Sequence, residues 1–163
     1  MEKRVQRLSD INHAFRGKGI NTDTLEYRHA ILLARTQAGL RNLYRLVSDA
    51  HLHHFHRRPR ILKSEYLRYR RGLVAGTACE QGELYRALLS GADEDELFEI
   101  VKIYDYLEIQ PLGNNAFLVR AQKVKGEAAL MELNRKIVEL GERYKKPVVA
   151  TGDVHFLKKN DEV

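Results

Sequence analysis

Cysteine occurs once in this chain, as Cys79. A single thiol excludes an internal disulfide framework and suits a reducing compartment. No apolar run reaches the length needed to cross a bilayer, and the first residues are charged rather than signal-like. Neither membrane insertion nor secretion is therefore indicated, and the chain reads as cytoplasmic. A glycine-rich phosphate loop, a Gly-x-Ser-x-Gly elbow and zinc-finger spacing are all missing. So is any internal repeat or low-complexity tract. These absences leave no motif-defined catalytic class, and the chemistry has to be sought at strand ends.

The 163 residues are 44% hydrophobic and 31% charged, enough for one domain, or a piece of one, with a core of its own. The net charge of +6 is unevenly placed. Arg57, Arg58, Arg60, Lys63, Arg68, Arg70 and Arg71 stand against Glu65 alone, and the remainder of the chain balances. Phe55, Tyr66 and Tyr69 interleave with this stripe. Such a pattern suits a phosphate backbone or an acidic partner, and equally suits a solvated helix face.

Residues 1–28 are the least regular, with weak helical spacing (Val5, Leu8, Ile11) broken by Gly17, Gly19, Asn21 and Asp23. The run from His29 to Ala34 reads as a buried strand. Thr36 is placed to cap a long helix whose apolar stripe is Leu40, Leu43, Tyr44, Val47, Ala50 and His51, stopped at Pro59. Ser64 is placed to cap a short helix ending near Gly72. A second buried strand, Leu73 to Ala78, delivers Cys79 at its end. Helical spacing at Leu84 and Leu88 closes at Gly91, and Asp93 with Glu96 forms a capping box before Leu97, Ile100, Val101 and Tyr104. Tyr106 to Gln110 is a third strand, ended by Pro111 and the Gly113-Asn-Asn turn. A helix over 128–144 turns Leu130, Leu133, Ile137 and Leu140 inward. Pro147 to Thr151 is a fourth buried strand, broken by Gly152. Buried strands alternating with helices indicate an α/β fold of parallel strands under helices, as an open sheet or an incomplete barrel.

Asp153 and His155 follow the fourth strand and fall on one side if the chain stays extended. Together with Cys79 and His29 they form a set suited to zinc or a related metal, drawn from several strand ends. One geometric condition attaches to His29. It opens its strand while the others follow theirs, so it joins them only if that strand runs against its neighbours or a bend brings it round. The histidine tract at 51–56, whose residues 51, 54 and 55 would share a helical face, lacks an acidic ligand beside the arginine cluster and is set aside as a metal site. Glu108 and Gln110 share one face of the third strand, and a buried carboxylate there needs a partner that the sequence does not name.

Several segments resemble the PHP domain of bacterial replicative DNA polymerases, in particular those of the PolC type. They are Arg28-His-Ala-Ile-Leu-Leu-Ala-Arg-Thr-Gln-Ala-Gly-Leu-Arg-Asn-Leu-Tyr-Arg-Leu46, Pro59-Arg-Ile61, Gly72-Leu-Val-Ala-Gly-Thr-Ala-Cys-Glu-Gln-Gly-Glu-Leu84, Tyr104-Asp-Tyr-Leu-Glu-Ile-Gln-Pro111 and Pro147-Val-Val-Ala-Thr-Gly-Asp-Val-His-Phe156. The resemblance implies a distorted seven-stranded β/α barrel with its N-terminal strands missing here, and a polynuclear metal cluster at one rim. It puts His29, Cys79, Asp153 and His155 on family ligand positions. The other family ligands, a His-x-His segment and a following glutamate, are absent from this chain. Residues 1–25 would be a linker or the exit from an inserted exonuclease domain, and residues 26–163 the C-terminal part of the PHP domain. Two positions depart from the family pattern: His54 and His56 stand where aromatics are expected, and Arg28-His29 replaces a Tyr-His pair.

The implied role is a metal-binding module, holding zinc or manganese in an incomplete site, that scaffolds polymerase and exonuclease domains. Magnesium would serve nucleotidyl transfer elsewhere in the parent enzyme. DNA, the remainder of the polymerase chain and replisome components such as the sliding clamp are the implied partners, and the segment alone would be inactive. Two other readings stand beside this one: a free-standing metal-dependent phosphoesterase, and a non-catalytic basic DNA-contacting module.

Overall fold

A computed structural model describes residues 26–152 and 154. The expectations for residues 1–25, for Asp153 and for His155 lie outside the described residues. The order of elements is β1 (Ile31–Ala34), α1 (Gln37–His53), β2 (Phe55–His56), β3 (Arg58–Pro59), α2 (Lys63–Tyr69), β4 (Leu73–Gly76), α3 (Glu83–Ser90), α4 (Glu94–Val101), β5 (Leu107–Ile109), a 3-10 turn (Leu112–Asn115), α5 (Ala116–Arg120), α6 (Glu127–Tyr144) and β6 (Val148–Ala150). The class is α/β, as the alternating pattern predicts. Among the described residues β1 pairs with β4, β2 with β3 and β5 with β6. No helix among them is long and apolar enough to cross a membrane.

The described chain divides into two compact units, one from residues 32–74 with 26–28, the other from residues 75 onward with 29–31. In the first, Thr36 caps α1 as expected, its Oγ1 accepting from the Gly39 N–H at 3.0 Å. The buried line of α1 is Gly39, Leu46 and Ala50. Of the stripe that hydropathy selects, Ala50 is buried and Leu40 and Leu43 are half-buried, while the rest faces outward. Tyr44 is 64% exposed and Val47 is also outside. The cause is a close backbone approach: a Cβ on Gly39 would run into the carbonyl of Gly72. Only glycine allows that contact, and it turns the Gly39 side of the helix inward. α1 ends at His53, well before Pro59, and a two-rung antiparallel hairpin, Phe55 opposite Pro59 and His56 opposite Arg58, follows it. α2 begins two residues earlier than a Ser64 cap requires, so Ser64 is buried inside the helix and makes no cap.

The second unit holds the parallel pair β5–β6, in register from Leu107 beside Val148 to Ile109 beside Ala150. A parallel bridge from Gly76 to Tyr106 joins the end of β4 to the start of β5. Helix α6 packs on β5 and β6 with Leu130, Leu133, Ile137 and Leu140 buried, the expected face. Leu84, Val101 and Leu107 are fully enclosed and complete this core. The capping of α4 is half of the expected box, with the Glu96 N–H on Asp93 Oδ1 at 2.9 Å. Gly91 closes α3 in the left-handed conformation, φ 73°. Helix α5 goes unannounced by the sequence, where Gly113-Asn-Asn reads as a turn.

Burial separates the strands. β4 and β5 are enclosed, as their apolar runs predict. β1 and β6 are not: Leu33 is 52% exposed and Val149 42%. An apolar run states what a strand tolerates, while burial needs a neighbour on each side and each face, and among the described residues β1 and β6 have one strand partner each.

Candidate metal centre

His29 and Cys79 meet. The Cys79 Sγ lies 3.4 Å from His29 Nδ1. Backbone contacts bring them together: the His29 N–H donates to the Gln81 carbonyl at 3.0 Å, and His29 forms a parallel bridge with Gly82. His29 thus lies against the segment that follows β4, not at its far end, and the geometric condition on its strand is met. The chain leaves β4 through Ala78, whose φ of 58° is left-handed. It then closes a turn in which the Gly82 N–H donates to the Cys79 carbonyl at 2.8 Å.

The contact is a hydrogen bond between thiol and imidazole, and the same spacing suits two ligands of one ion. Bond lengths of about 2.3 Å to sulfur and 2.05 Å to nitrogen place the two donors about 3.6 Å apart across a tetrahedral zinc. The observed separation needs almost no adjustment. Cys79 is half-buried and His29 exposed, so an ion could enter from solvent. Asp153 and His155, the other two expected ligands, lie outside the described residues. Among the described residues no group of three or more His, Cys, Asp or Glu side chains could hold a metal.

Glu108 has the partners that its sequence context leaves unnamed. Its carboxylate is buried, with Oε1 accepting from the Ala78 N–H at 3.2 Å and Oε2 from the Thr151 hydroxyl at 3.1 Å. Its own N–H donates to Thr77 Oγ1 at 2.9 Å. The Tyr106 hydroxyl is pushed up to about 12 by burial and then by the charge and hydrogen bond of Glu108. Tyr106 therefore stays a donor toward the carboxylate at neutral pH.

The histidine tract is arranged otherwise than a helical reading suggests. Since α1 stops at His53, residues 54 and 55 leave its face. Asp49 supplies an acidic neighbour, its two oxygens 2.8 Å from His53 Nδ1 and 3.4 Å from His54 Nε2. That neighbour was legible as an i, i+4 spacing on α1.

In the basic stripe, Arg57, Arg58, Arg68 and Arg71 are exposed, whereas Arg60, Lys63 and Arg70 are half-buried and engaged in contacts of their own. Aromatic faces hold several guanidinium groups. Arg45 and Arg68 both approach the Tyr69 ring, at 5.6 and 5.3 Å from its centroid, and Arg58 lies 4.7 Å from that of Tyr27. Arg45 escapes a reading of the stripe in sequence because it belongs to another helix. Residues 32–74 carry ten basic side chains against Asp49 and Glu65.

A sequence model of the PHP domain matches residues 4–112, more than half of the chain. The chain is 56% identical to a DNA polymerase III PolC-type of Clostridium perfringens over 88% of its own length. It is 48% identical to one of Caldanaerobacter subterraneus over 90%, and 40% identical to one of Bacillus subtilis over 99%. It spans only 10%, 10% and 11% of the length of these relatives. The strand-end pairing of His29 with Cys79 falls inside the matched region, and on that match the chain belongs to the PHP domain family.

Proposed function

We propose that this chain is a metal-binding PHP module of a PolC-type replicative DNA polymerase, scaffolding the polymerase and exonuclease domains of the larger enzyme. The observation that carries the proposal is the 3.4 Å approach of Cys79 Sγ to His29 Nδ1 at the end of β4. Residues 50 apart in sequence are brought to the spacing of two ligands on one ion. His29 and Cys79, with Asp153 and His155, would hold a divalent metal, zinc or manganese. When bound, such an ion supplies a fixed positive charge and a Lewis acid at the strand ends. The side chains themselves would hold the ion and lock the segment after β4 to His29, two positions before β1.

In this reading residues 26–163 are the C-terminal part of a distorted seven-stranded barrel, and residues 1–25 lead into it from an inserted exonuclease. Nucleotidyl transfer on DNA belongs to the parent enzyme and its magnesium-bearing carboxylates. Its cytoplasmic setting, its DNA substrate and partners such as a sliding clamp come with that parent. The basic unit around α1 and α2 contacts phosphate rather than reading bases, because it offers charge without an element shaped to enter a groove. A free-standing phosphoesterase is the other enzymatic reading, and a purely DNA-contacting module the non-enzymatic one.

One preparation separates them. The 163-residue chain is purified, its metal content measured by mass spectrometry, and its activity tested on a phosphodiester and on a primed template. The proposal expects metal below stoichiometry and neither hydrolysis nor primer extension. Robust hydrolysis with a stoichiometric cluster would establish the phosphoesterase. DNA binding unaffected by Cys79→Ser and by chelation, with no metal taken up at all, would establish the basic module.

A further inference from the structure

We infer that Glu108 is a positioning residue for this rim, its carboxylate tying the turn that carries Cys79 to the strand end that leads to Asp153. The tie stands on hydrogen bonds, and its purpose rests on the metal reading above. Glu108 lies in β5, between β4 and β6 in the order of strand contacts, and its side chain is enclosed. One oxygen takes the Ala78 N–H and the other takes the Thr151 hydroxyl. These donors come from two segments that share no strand pairing with each other among the described residues.

The Ala78 end of the tie has a local consequence. A residue with a Cβ enters the left-handed region at a cost, and Ala78 is held there at φ 58°. A charge-assisted hydrogen bond from its own N–H to a buried carboxylate offsets that cost. Cys79 is the next residue, so the Ala78 backbone sets the direction in which its thiol leaves β4. The Thr151 end acts on the other segment, two positions before Asp153 and four before His155.

The packing reserves this place for a carboxylate. A Cβ on Gly76 would collide with the Tyr106 ring and with Glu108 Oε1, so the strand gives up a side chain where the acid sits. Thr77 adds its hydroxyl to the Glu108 N–H. A charge at this depth is tolerated because each oxygen has a donor. Fixing ligands through groups that do not themselves touch the metal is worth about 10- to 100-fold in affinity at established sites.

The test uses the 163-residue chain with Glu108→Ala, Glu108→Gln and Thr151→Val. In the metal-free state, a proton NOE between the Cys79 methylene and the His29 ring reports their contact. Zinc affinity is then read by competition with a chromogenic chelator. Glu108→Ala should lose the NOE and bind zinc about 10- to 100-fold more weakly. Glu108→Gln, which keeps an acceptor for the Ala78 N–H, should retain the NOE even if the alanine variant fails to fold. Thr151→Val should retain the NOE and still weaken zinc binding, since it loosens only the second segment. Folded variants with the NOE and the zinc affinity of the wild type would overturn the inference. A wild-type chain that binds no zinc would sink the metal reading. In that event, an NOE that depends on Glu108 upholds the tie, and one that does not overturns it.

Discussion

Replacing Gly82 by alanine places one methyl group where the turn after β4 has no room. The new Cβ would fall deep inside contact distance of the Thr77 carbonyl oxygen and 2.9 Å from that of Cys79. Both are backbone atoms that cannot swing aside, so the turn must open. Two hydrogen bonds go with it, Gly82 N–H to the Cys79 carbonyl at 2.8 Å and His29 N–H to the Gln81 carbonyl at 3.0 Å. Each is worth about 0.5 to 1.5 kcal/mol net. Residual overpacking adds about 1 to 3 kcal/mol, and alanine returns about 0.4 to 1 kcal/mol by restricting the unfolded chain. The expected loss is about 1 to 6 kcal/mol. For a chain of this size that lowers the melting temperature by roughly 2 to 24 °C. Thermal melting followed by circular dichroism measures it. Gly91→Ala is the control, because φ there is 73° and nothing lies within 4 Å of a new Cβ. Its cost is backbone strain alone, about 1 to 2 kcal/mol. A Gly82→Ala chain that melts no lower than Gly91→Ala would refute the reasoning.

On the proposed function, neutral substitutions at Arg68, Arg70 and Arg71 should weaken DNA binding by the larger enzyme. They should also flatten its salt dependence, by about 0.9 in log–log slope for each duplex phosphate no longer neutralised; an unchanged slope would make the stripe an ordinary solvated face. Leu46→Ala, at the centre of the α1 side that faces inward, should cost about 2 to 5 kcal/mol in urea denaturation, whereas Tyr44→Ala on the exposed side should cost far less. Tyr106 gives an alkaline limit. Its folded value of about 12 exceeds the ordinary 10, so its contribution is complete below pH 10 and is lost as pH rises toward about 12. Tyr106→Phe should flatten stability over that window, and a slope identical to wild type would remove this tyrosine from the account.

Patterning alone locates α6 and its buried face, because Leu130, Leu133, Ile137 and Leu140 repeat at helical spacing with no competing signal. It also places β4 and β5 and the cap at Thr36. On α1 it finds Ala50 but misses Leu46 and overrates Tyr44 and Val47, because the inward side is set by Gly39 against Gly72, a contact between residues without side chains and hence without hydropathy. It overstates the burial of β1 and β6, since Ile31, Leu33 and Val149 say nothing about who covers them. At the site, residue type and strand-end position are enough to single out His29 and Cys79. The means of bringing them together is not legible: a left-handed alanine is invisible in sequence, and the partners of Glu108 stand 30 and 43 positions away.

The claim that Cys79 and His29 are metal ligands is tested most directly by X-ray absorption on the zinc-loaded 163-residue chain. The account predicts one sulfur scatterer at about 2.3 Å with nitrogen and oxygen at about 2.0 to 2.2 Å. It further predicts that the sulfur shell disappears in Cys79→Ser and that the nitrogen contribution falls in His29→Ala. A zinc environment without sulfur in the wild-type chain would contradict it.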